Sequence, residues 1–431
     1  MQSSKRKMRC YFFLMAGMLL WIALPRALAE DVLQWRNNRD GIYKESGLLK
    51  SWPEAGPKLL WNIDDVGDGY SSPIIVKEKI YLTGAKDGSE FVSCLDIQGK
   101  RLWRTEYASA WKLTYPGART TPTFADGRLF AVSADGVAAC VDSESGKLIW
   151  KVNAWEKYQG KSGRWGIAES PLVVDGKMIC TPTGELTTMI ALNAADGALA
   201  WKSPSLNDTG AYVSPALLEY NSKKQIIGVA GKFIFGVDPQ NGQIIWSFDF
   251  LETSVDNNAD SGAWRTNCNT PVCKNDMIFV TGGNNHCGVL LQLNKDATGV
   301  NLLWKSGLLD NHHGHVVLVD GYLYGSNWIS NSSGNWVCLD WKTGKKMYEK
   351  EWQTKGSIIY DDGMLYCYEE KHGNLALVKA TPDGFNVISS FIIELGSEMH
   401  WAHPVISGGL LYIRHGNALI AYDIRAAKSS K

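Results

Sequence analysis

The chain has 431 residues, 45% of them hydrophobic and 11% aromatic, with 44 basic and 44 acidic residues. Enough apolar surface is present for a large core, and no block of like charge exists to recruit nucleic acid or an anionic membrane surface. Eighteen tryptophans stand out, and most of the reading follows from where they recur.

In chain order, the first element reads as an export signal. Lys5, Arg6, Lys7 and Arg9 precede an apolar run from Tyr11 to Leu24, and Ala27-Leu28-Ala29 supplies a small-residue cleavage pattern before Glu30. The run is short for a bilayer span, and a retained N-terminal anchor is the alternative. Cys10 lies ahead of the run rather than at the cleavage point, so lipidation is not expected. Cleavage would leave 39 basic against 44 acidic residues, a net charge of −5. The expectation is an exported periplasmic or extracellular protein with residues 1–29 removed, no transmembrane span, and a single domain over 30–431. Within it, residues 30–56 read as an arm, 57–63 as a closing strand and 70–424 as the repeats.

After the arm, one phrase returns: an apolar residue, x, Asp or Asn, a Gly turn, two apolar residues and Trp. It ends at Trp103, Trp150, Trp201, Trp246 and Trp304, and continues in weaker form to Tyr348 and Phe391. Trp61, in GPKLLW, keeps only the last strand of the unit. The intervals from Trp61 are 42, 47, 51, 45, 58, 44 and 43 residues, the period of a four-stranded propeller blade. Each unit opens on a short strand such as SSPIIV, TTPTFA, ESPLVV, VSPALL, NTPVCK or AHPVIS, and a Gly turn then leads into a second strand. Eight openings predict an all-β, eight-bladed propeller. The last unit stops after three strands, so the strand around Trp61 is expected to complete it, pairing both chain ends in one blade. The repeated Trp reads as a wedge between blades, stabilised by burial.

Eight cysteines remain after cleavage. Cys94, Cys140 and Cys338 share one repeat position and read as core thiols, whereas Cys268, Cys273 and Cys287 could include one bridge. No C-x-x-C is present, and neither is a P-loop, a G-x-S-x-G or an H-E-x-x-H. TGGNNHCG at Thr281–Gly288 reads as a hairpin turn.

Function in a propeller gathers where loops enter the innermost strands. Just ahead of the openings stand Tyr70, Arg119, Arg164, Trp165, Glu169, Tyr212, Arg265, Asn267, His312, His313, His315, His400, Trp401 and His403. Rotation of eight equivalent units would bring them to one rim, where Arg, His, carboxylate and aromatic faces suit a sugar or an organic anion. Packing alternatives exist for each. Arg119 and Arg265 could bridge blades, Glu169 could pair with Arg164 or Arg119, Tyr70, Tyr212 and Trp401 could fill space, and His403 could bond a neighbouring blade. Glu169, His313, His315 and His400 are the candidates for catalysis. His313 and His315 with His400 or Glu169 could approach a transition metal, but no metal site is assigned.

The Asp-x-x-x-Gly-x-x-x-Trp blade resembles the pyrroloquinoline-quinone (PQQ) repeat shared by quinoprotein alcohol dehydrogenases and the assembly lipoprotein of the Bam complex. NRDGIYKESGLLKSWPEAGPKLLW, RWGIAESPLV, NHHGHVVLVDGYLYG and WAHPVISGGLLYIR are similar to phrases of exported bacterial PQQ-like propellers, from about Trp35 to the end. The resemblance implies a propeller, and implies PQQ only if Trp165 or Trp401 stacks on it with Arg119 and Arg265 at its carboxylates. The dehydrogenases' adjacent cysteine pair and calcium ligands have no counterpart here, nor has the assembly lipoprotein's lipidated Cys. The leading expectation is therefore a monomeric, non-catalytic binding or scaffold protein with a small-molecule site at the channel mouth. The alternatives are a quinone-dependent or metal-assisted oxidoreductase and a protein-interaction platform.

Overall fold

In a computed structural model, which describes residues 30–253 and 266–427, the strands form eight four-stranded antiparallel sheets around a central channel. The leader, residues 1–29, lies outside the described residues. Seven blades are built from consecutive strands, the first being Ile74–Val76, Lys79–Lys86, Ser89–Asp96 and Arg101–Ser109. In the eighth, Val405–Ser407, Leu410–His415 and Ala418–Asp423 are completed by Lys58–Ile63, which pairs antiparallel with Ala418–Asp423. Closure through both chain ends is therefore observed as expected.

The tryptophan wedge has a repeated geometry. The indole of one blade lies on the turn glycine of the next: Trp61 on Gly99, Trp103 on Gly146, Trp150 on Gly197, Trp201 on Gly242 and Trp304 on Gly344. A Cβ at Gly146 would sit 2.7 Å from the Trp103 ring, and its φ of +72° also favours glycine. The indole N–H of Trp61, Trp150, Trp201 and Trp304 donates to a main-chain carbonyl of that neighbouring blade at 2.9–3.0 Å. Trp246 faces a longer turn and donates instead to Gln225 Oε1 within its own blade.

In all eight sheets the outer strand skips one residue in register just before the wedge position, for example between Leu59 and Trp61 and between Arg101 and Trp103. Such a β-bulge turns the large ring inward and its predecessor outward. The residue just before the wedge position thus faces outward, and Leu60, Leu102, Ile149, Leu303, Met347 and Ile388 are exposed.

Blade seven departs from the sequence reading. By register the wedge position is Ser389, opposite Leu377, and not Phe391. The arm compensates. Its Trp52 donates its main-chain N–H to Ser389 Oγ and sets its ring 5.9 Å from Tyr366. Tyr366 is the blade-seven counterpart of Tyr81, Phe130, Phe279, Tyr324 and Tyr412, which face their own blades' wedge rings.

All eight cysteines from Cys94 to Cys367 are free thiols, so no bridge joins Cys268, Cys273 and Cys287. Cys94, Cys140 and Cys338 are fully buried between blades, and burial pushes their thiols up to about 11, 12 and 12.

Candidate functional site

The residue two before each opening strand holds the channel together. Ser72, Thr121 and Ser170 each donate their N–H to the hydroxyl of the next blade's equivalent residue, Thr121, Ser170 and Ser214, at 2.9 Å. By register the equivalents in blades six to eight are His315, Ser357 and His403. The small side chain of Ser357 lets the two imidazoles come to 4.9 Å, ring to ring.

The arm enters from the face bearing the hairpin turns. Val32 bridges Ile75, Ile42 bridges Tyr360, and the turn Arg36–Arg39 dips into the channel. Trp35 packs edge-on against His315 and His403. Arg36 donates to the carbonyls of Ile358 and Val316 and lies 2.9 Å from His403 Nδ1. Arg39 donates to the carbonyls of Ser170 and Pro171. His315 and His403 are thereby 6% and 4% exposed, deep below the rim. Beside the arm, Arg39, Asp40 and the inner strands of blades three to five enclose a cavity of about 290 Å³.

The opposite mouth carries the aromatic residues. Trp401 is the hub, with ring centroids of Tyr115, Tyr70 and His313 at 4.8, 5.1 and 5.1 Å. His313 Nε2 lies 3.3 Å from Glu370 Oε2, and Lys355 Nζ closes on Glu370 Oε1 at 2.6 Å. Lys355 also donates to the carbonyls of Ser330 and Asn331, so this buried chain locks the imidazole that supports Trp401. Burial, aided by Lys355, pushes His313 down to about 3, which keeps the ring neutral. Arg119 clips the loop bearing Tyr115, donating to the carbonyls of Thr114, Tyr115 and Gly117 at 2.9, 2.6 and 3.0 Å. A second aromatic group continues the rim: Trp165 donates its main-chain N–H to Tyr212 Oη, and the Arg164 guanidinium lies over the Trp165 ring.

Not every expected rim residue converges there. Glu169 is 2% exposed and accepts from the Thr181 N–H, with Arg39 as its nearest cationic influence; the expected pairing with Arg164 or Arg119 does not form. His400 sits 2.5 Å from Tyr368 Oη and stacks on His415 at 3.7 Å, away from His313 and His315. Asn267 bonds main-chain carbonyls, and His312 rests against His313. Arg265 lies outside the described residues. Sequence reasoning missed Tyr115, Glu370, Lys355, Trp35 and the two arm arginines. The Pro116-Gly117 turn is the one local signal that could have pointed to Tyr115.

Burial of these groups gives the fold a defined pH profile. Desolvation pushes Glu90 up to about 7 and Glu169 up to about 8. Their contribution is complete below the unfolded value near pH 4.5 and is lost as pH rises through 7 to 8. Desolvation moves His312, His313 and His400 down to about 3, and His315 and His403 well below their ordinary value. Their contribution is complete above about pH 6.5 and is lost as pH falls. Burial also raises Asp40 and Glu370 and pushes Asp310 and Asp361 up to about 7, so carboxyls and histidines oppose one another between pH 4.5 and 6.5, and chemical denaturation should show its clear decline from pH 6.5 to 8, where the carboxyls alone still change. Glu169→Gln, which keeps the Thr181 bond, should remove part of that decline, on the order of 1 kcal/mol per pH unit. Equal slopes for wild type and variant above pH 6.5 would show that Glu169 is already ionised in the fold.

Fold and mouth together define an eight-bladed PQQ-type propeller. Residues 88–346 match the PQQ-repeat family described as outer membrane protein assembly factor BamB, and the chain belongs to that family. It is 22% identical over 289 residues to outer membrane protein assembly factor BamB of Moranella endobia (strain PCIT), covering 66% of this chain and 70% of that protein. Among solved structures it is similar to BamB from Moraxella catarrhalis, with 14% identity, a TM-score of 0.61, and 85% and 99% of the two chains covered. It is also similar to the quinohemoprotein alcohol dehydrogenase of Comamonas testosteroni, with 12% identity, a TM-score of 0.64, and 93% and 81% covered. At those identities the structural likenesses carry the fold alone. No helix among the described residues is long and apolar enough to cross a membrane.

The mouth does not fit a metal-bound quinone. Among the described residues no group of three His, Cys, Asp or Glu side chains could hold a metal ion.

Proposed function

We propose that this is an exported, non-catalytic binding propeller whose mouth receives a small ring-shaped ligand, such as a sugar or sugar acid, against Trp401. The observation that supports this most is the support built around that indole. Three rings fix its orientation, and one of them is itself locked by the buried Glu370–Lys355 pair. A rigid aromatic platform presented at a channel mouth binds a flat ring face without the entropy of ordering it first. The arm fills the other side of the channel beneath His315 and His403, so a ligand would enter by this mouth only.

Titration calorimetry of the mature protein with glucose, N-acetylglucosamine, glucuronate and gluconate tests the reading. At least one should bind saturably, and Trp401→Ala should weaken it by about tenfold or more, the loss expected for an aromatic anchor. If none binds, or if Trp401→Ala binds equally well, the cup is not a ligand site.

A second reading, a platform for a protein partner in envelope assembly, draws on membership of a family described as an outer membrane assembly factor. Exposed Leu113, Leu186, Ile329 and Met399 on loops around the same mouth favour it.

A further inference from the structure

Guanidinium groups line the channel and its mouth without partners of opposite charge among the described residues. Arg36, Arg39 and Arg414 are 1%, 4% and 0% exposed, and Arg119 is partly buried in the rim. Buried cations are ordinarily matched by carboxylates, because desolvating a lone charge is costly. Among the described residues none of these four forms an ion pair; their donors go to main-chain carbonyls, Ser71, Gln34 and His403. The buried acids nearby do not offset them. Glu90 is bonded to Tyr107 and Glu169 to the Thr181 N–H, and burial drives both carboxyls toward the neutral form. Asp68, Asp135 and Glu398 also face the mouth region, but they are exposed and screened by solvent.

Two of these arginines stand beside Tyr70, one of the rings around Trp401: Arg119 follows Ala118, whose carbonyl accepts the Tyr70 N–H at 2.7 Å, and Arg414 donates to Ser71. The exposed Glu398 is the strongest single charge acting on this phenol and is screened by solvent. The Tyr70 hydroxyl is buried and has no hydrogen-bond partner among the described residues. A phenol donor left open between two uncompensated guanidiniums, under an aromatic platform, is the donor set of an anion receptor. Low-dielectric walls focus the field of such charges out through a cleft.

We infer that the mouth selects ring-shaped organic anions, with the ring on Trp401 and its carboxylate or phosphate directed to Tyr70 Oη and Arg119. This rests on the reading of the mouth as a ligand cup, and it adds the sign of the ligand's charge. Arg414 acts from behind, as fixed positive charge that the ligand does not touch. The chain's net negative charge after loss of residues 1–29 makes the local sign the reverse of the global one.

The field at Trp401 can be read without knowing the ligand. The fluorescence of Trp401, isolated as wild type minus Trp401→Phe, should be quenched several-fold more by iodide than by caesium when each ion is scaled to its quenching of free N-acetyltryptophanamide, with acrylamide correcting for access. The ratio should collapse between 20 mM and 500 mM salt. Arg119→Gln should bring it toward one, whereas Arg119→Lys, which keeps the charge and loses the loop clip, should retain most of it. Equal quenching by the two ions overturns the inference, as does a ratio lost in Arg119→Lys as fully as in Arg119→Gln.

Calorimetry then compares glucuronate with glucose, which share a ring and differ in a carboxylate. Glucuronate should bind at least about tenfold tighter at low salt, and Arg119→Gln should erase that preference. If both bind equally and both are lost in Trp401→Ala, the cup stands and the anion selectivity falls. If neither binds, the cup itself falls.

Discussion

Deletion of residues 57–63 is expected to abolish the cooperative unfolding transition of the ring, whereas removal of residues 427–431 should leave the melting temperature within about 2 °C. The short segment carries two functions at once. Lys58–Ile63 supplies the fourth strand of blade eight, pairing along Ala418–Asp423, and Trp61 is the wedge between blades eight and one. Without it, Ala418–Asp423 becomes an open edge and the Gly99 turn loses its ring. Truncating a fully buried indole costs about 3–5 kcal/mol; the partly buried Trp61 contributes less than that, but a strand ladder is lost with it. Supplying Lys58–Ile63 in trans as a peptide should restore part of the transition. Calorimetry of the three forms checks the point; an unchanged transition in the 57–63 deletion would mean that the ring closes by other contacts.

Arg414→Met should cost about 3–5 kcal/mol, among the largest effects of any single substitution in the chain. The guanidinium is fully buried and ties blade eight to the approach to blade one. Nε donates to the Gly416 carbonyl at 3.0 Å, Nη1 to the Thr83 carbonyl at 2.6 Å and to Ser71, and Nη2 to the Gly67 carbonyl at 2.9 Å. Methionine fills the stem's volume but removes the donor from the Gly67 and Gly416 carbonyls, Thr83 keeping the bond from Ser71 Oγ at 3.1 Å, at about 1–3 kcal/mol for each oxygen left unpaired that water cannot reach. Lysine should recover less than half, because one ammonium cannot reproduce a planar fork aimed at several carbonyls. Urea denaturation of wild type, Arg414→Met and Arg414→Lys measures this directly. A loss under about 1 kcal/mol for Met would show that solvent reaches the seam. Combined with the deletion of 57–63, the substitution should add little, since both act on one seam.

Both effects concern a closure that is legible in the chain alone, and the reason is local. Asp, Gly and Trp recur because a tight turn, a positive φ and an indole wedge are each imposed by neighbours a few residues away or by the next identical unit. A repeat therefore advertises its own packing. Blade seven shows where this stops. Phe391 continues the spacing, but the bulge before Ser389 sets the register, and Trp52 from the arm occupies the wedge site. Nothing near position 389 in sequence reports on a ring 337 residues away.

The rim divides in the same manner. Loops entering equivalent strands do bring Tyr70, Trp401 and His313 to one mouth, because rotational equivalence is a property of the repeat. Tyr115 and Glu370 arrive on loops whose lengths differ from blade to blade, and no periodicity places them; Lys355, two residues before Ser357, stands in the register of Tyr70, Arg119, His313 and Trp401. Glu169, His315 and His403 stand in the expected frame, yet the arm draws the channel shut around them and leaves them with Trp35, Arg36 and Arg39.

Blade count, strand order within each blade, the closing strand at Trp61 and the end of the ring where polar and aromatic loops collect are all written in the chain. They follow from period, turn chemistry and alternation, which act over a few residues and are copied eight times. Which of those polar residues share a surface, where the arm lies, and that the channel's arginines lack counter-ions among the described residues emerge only once the ring has closed. Burial and charge pairing depend on partners hundreds of residues apart, and each is set by the single copy of the chain that surrounds it.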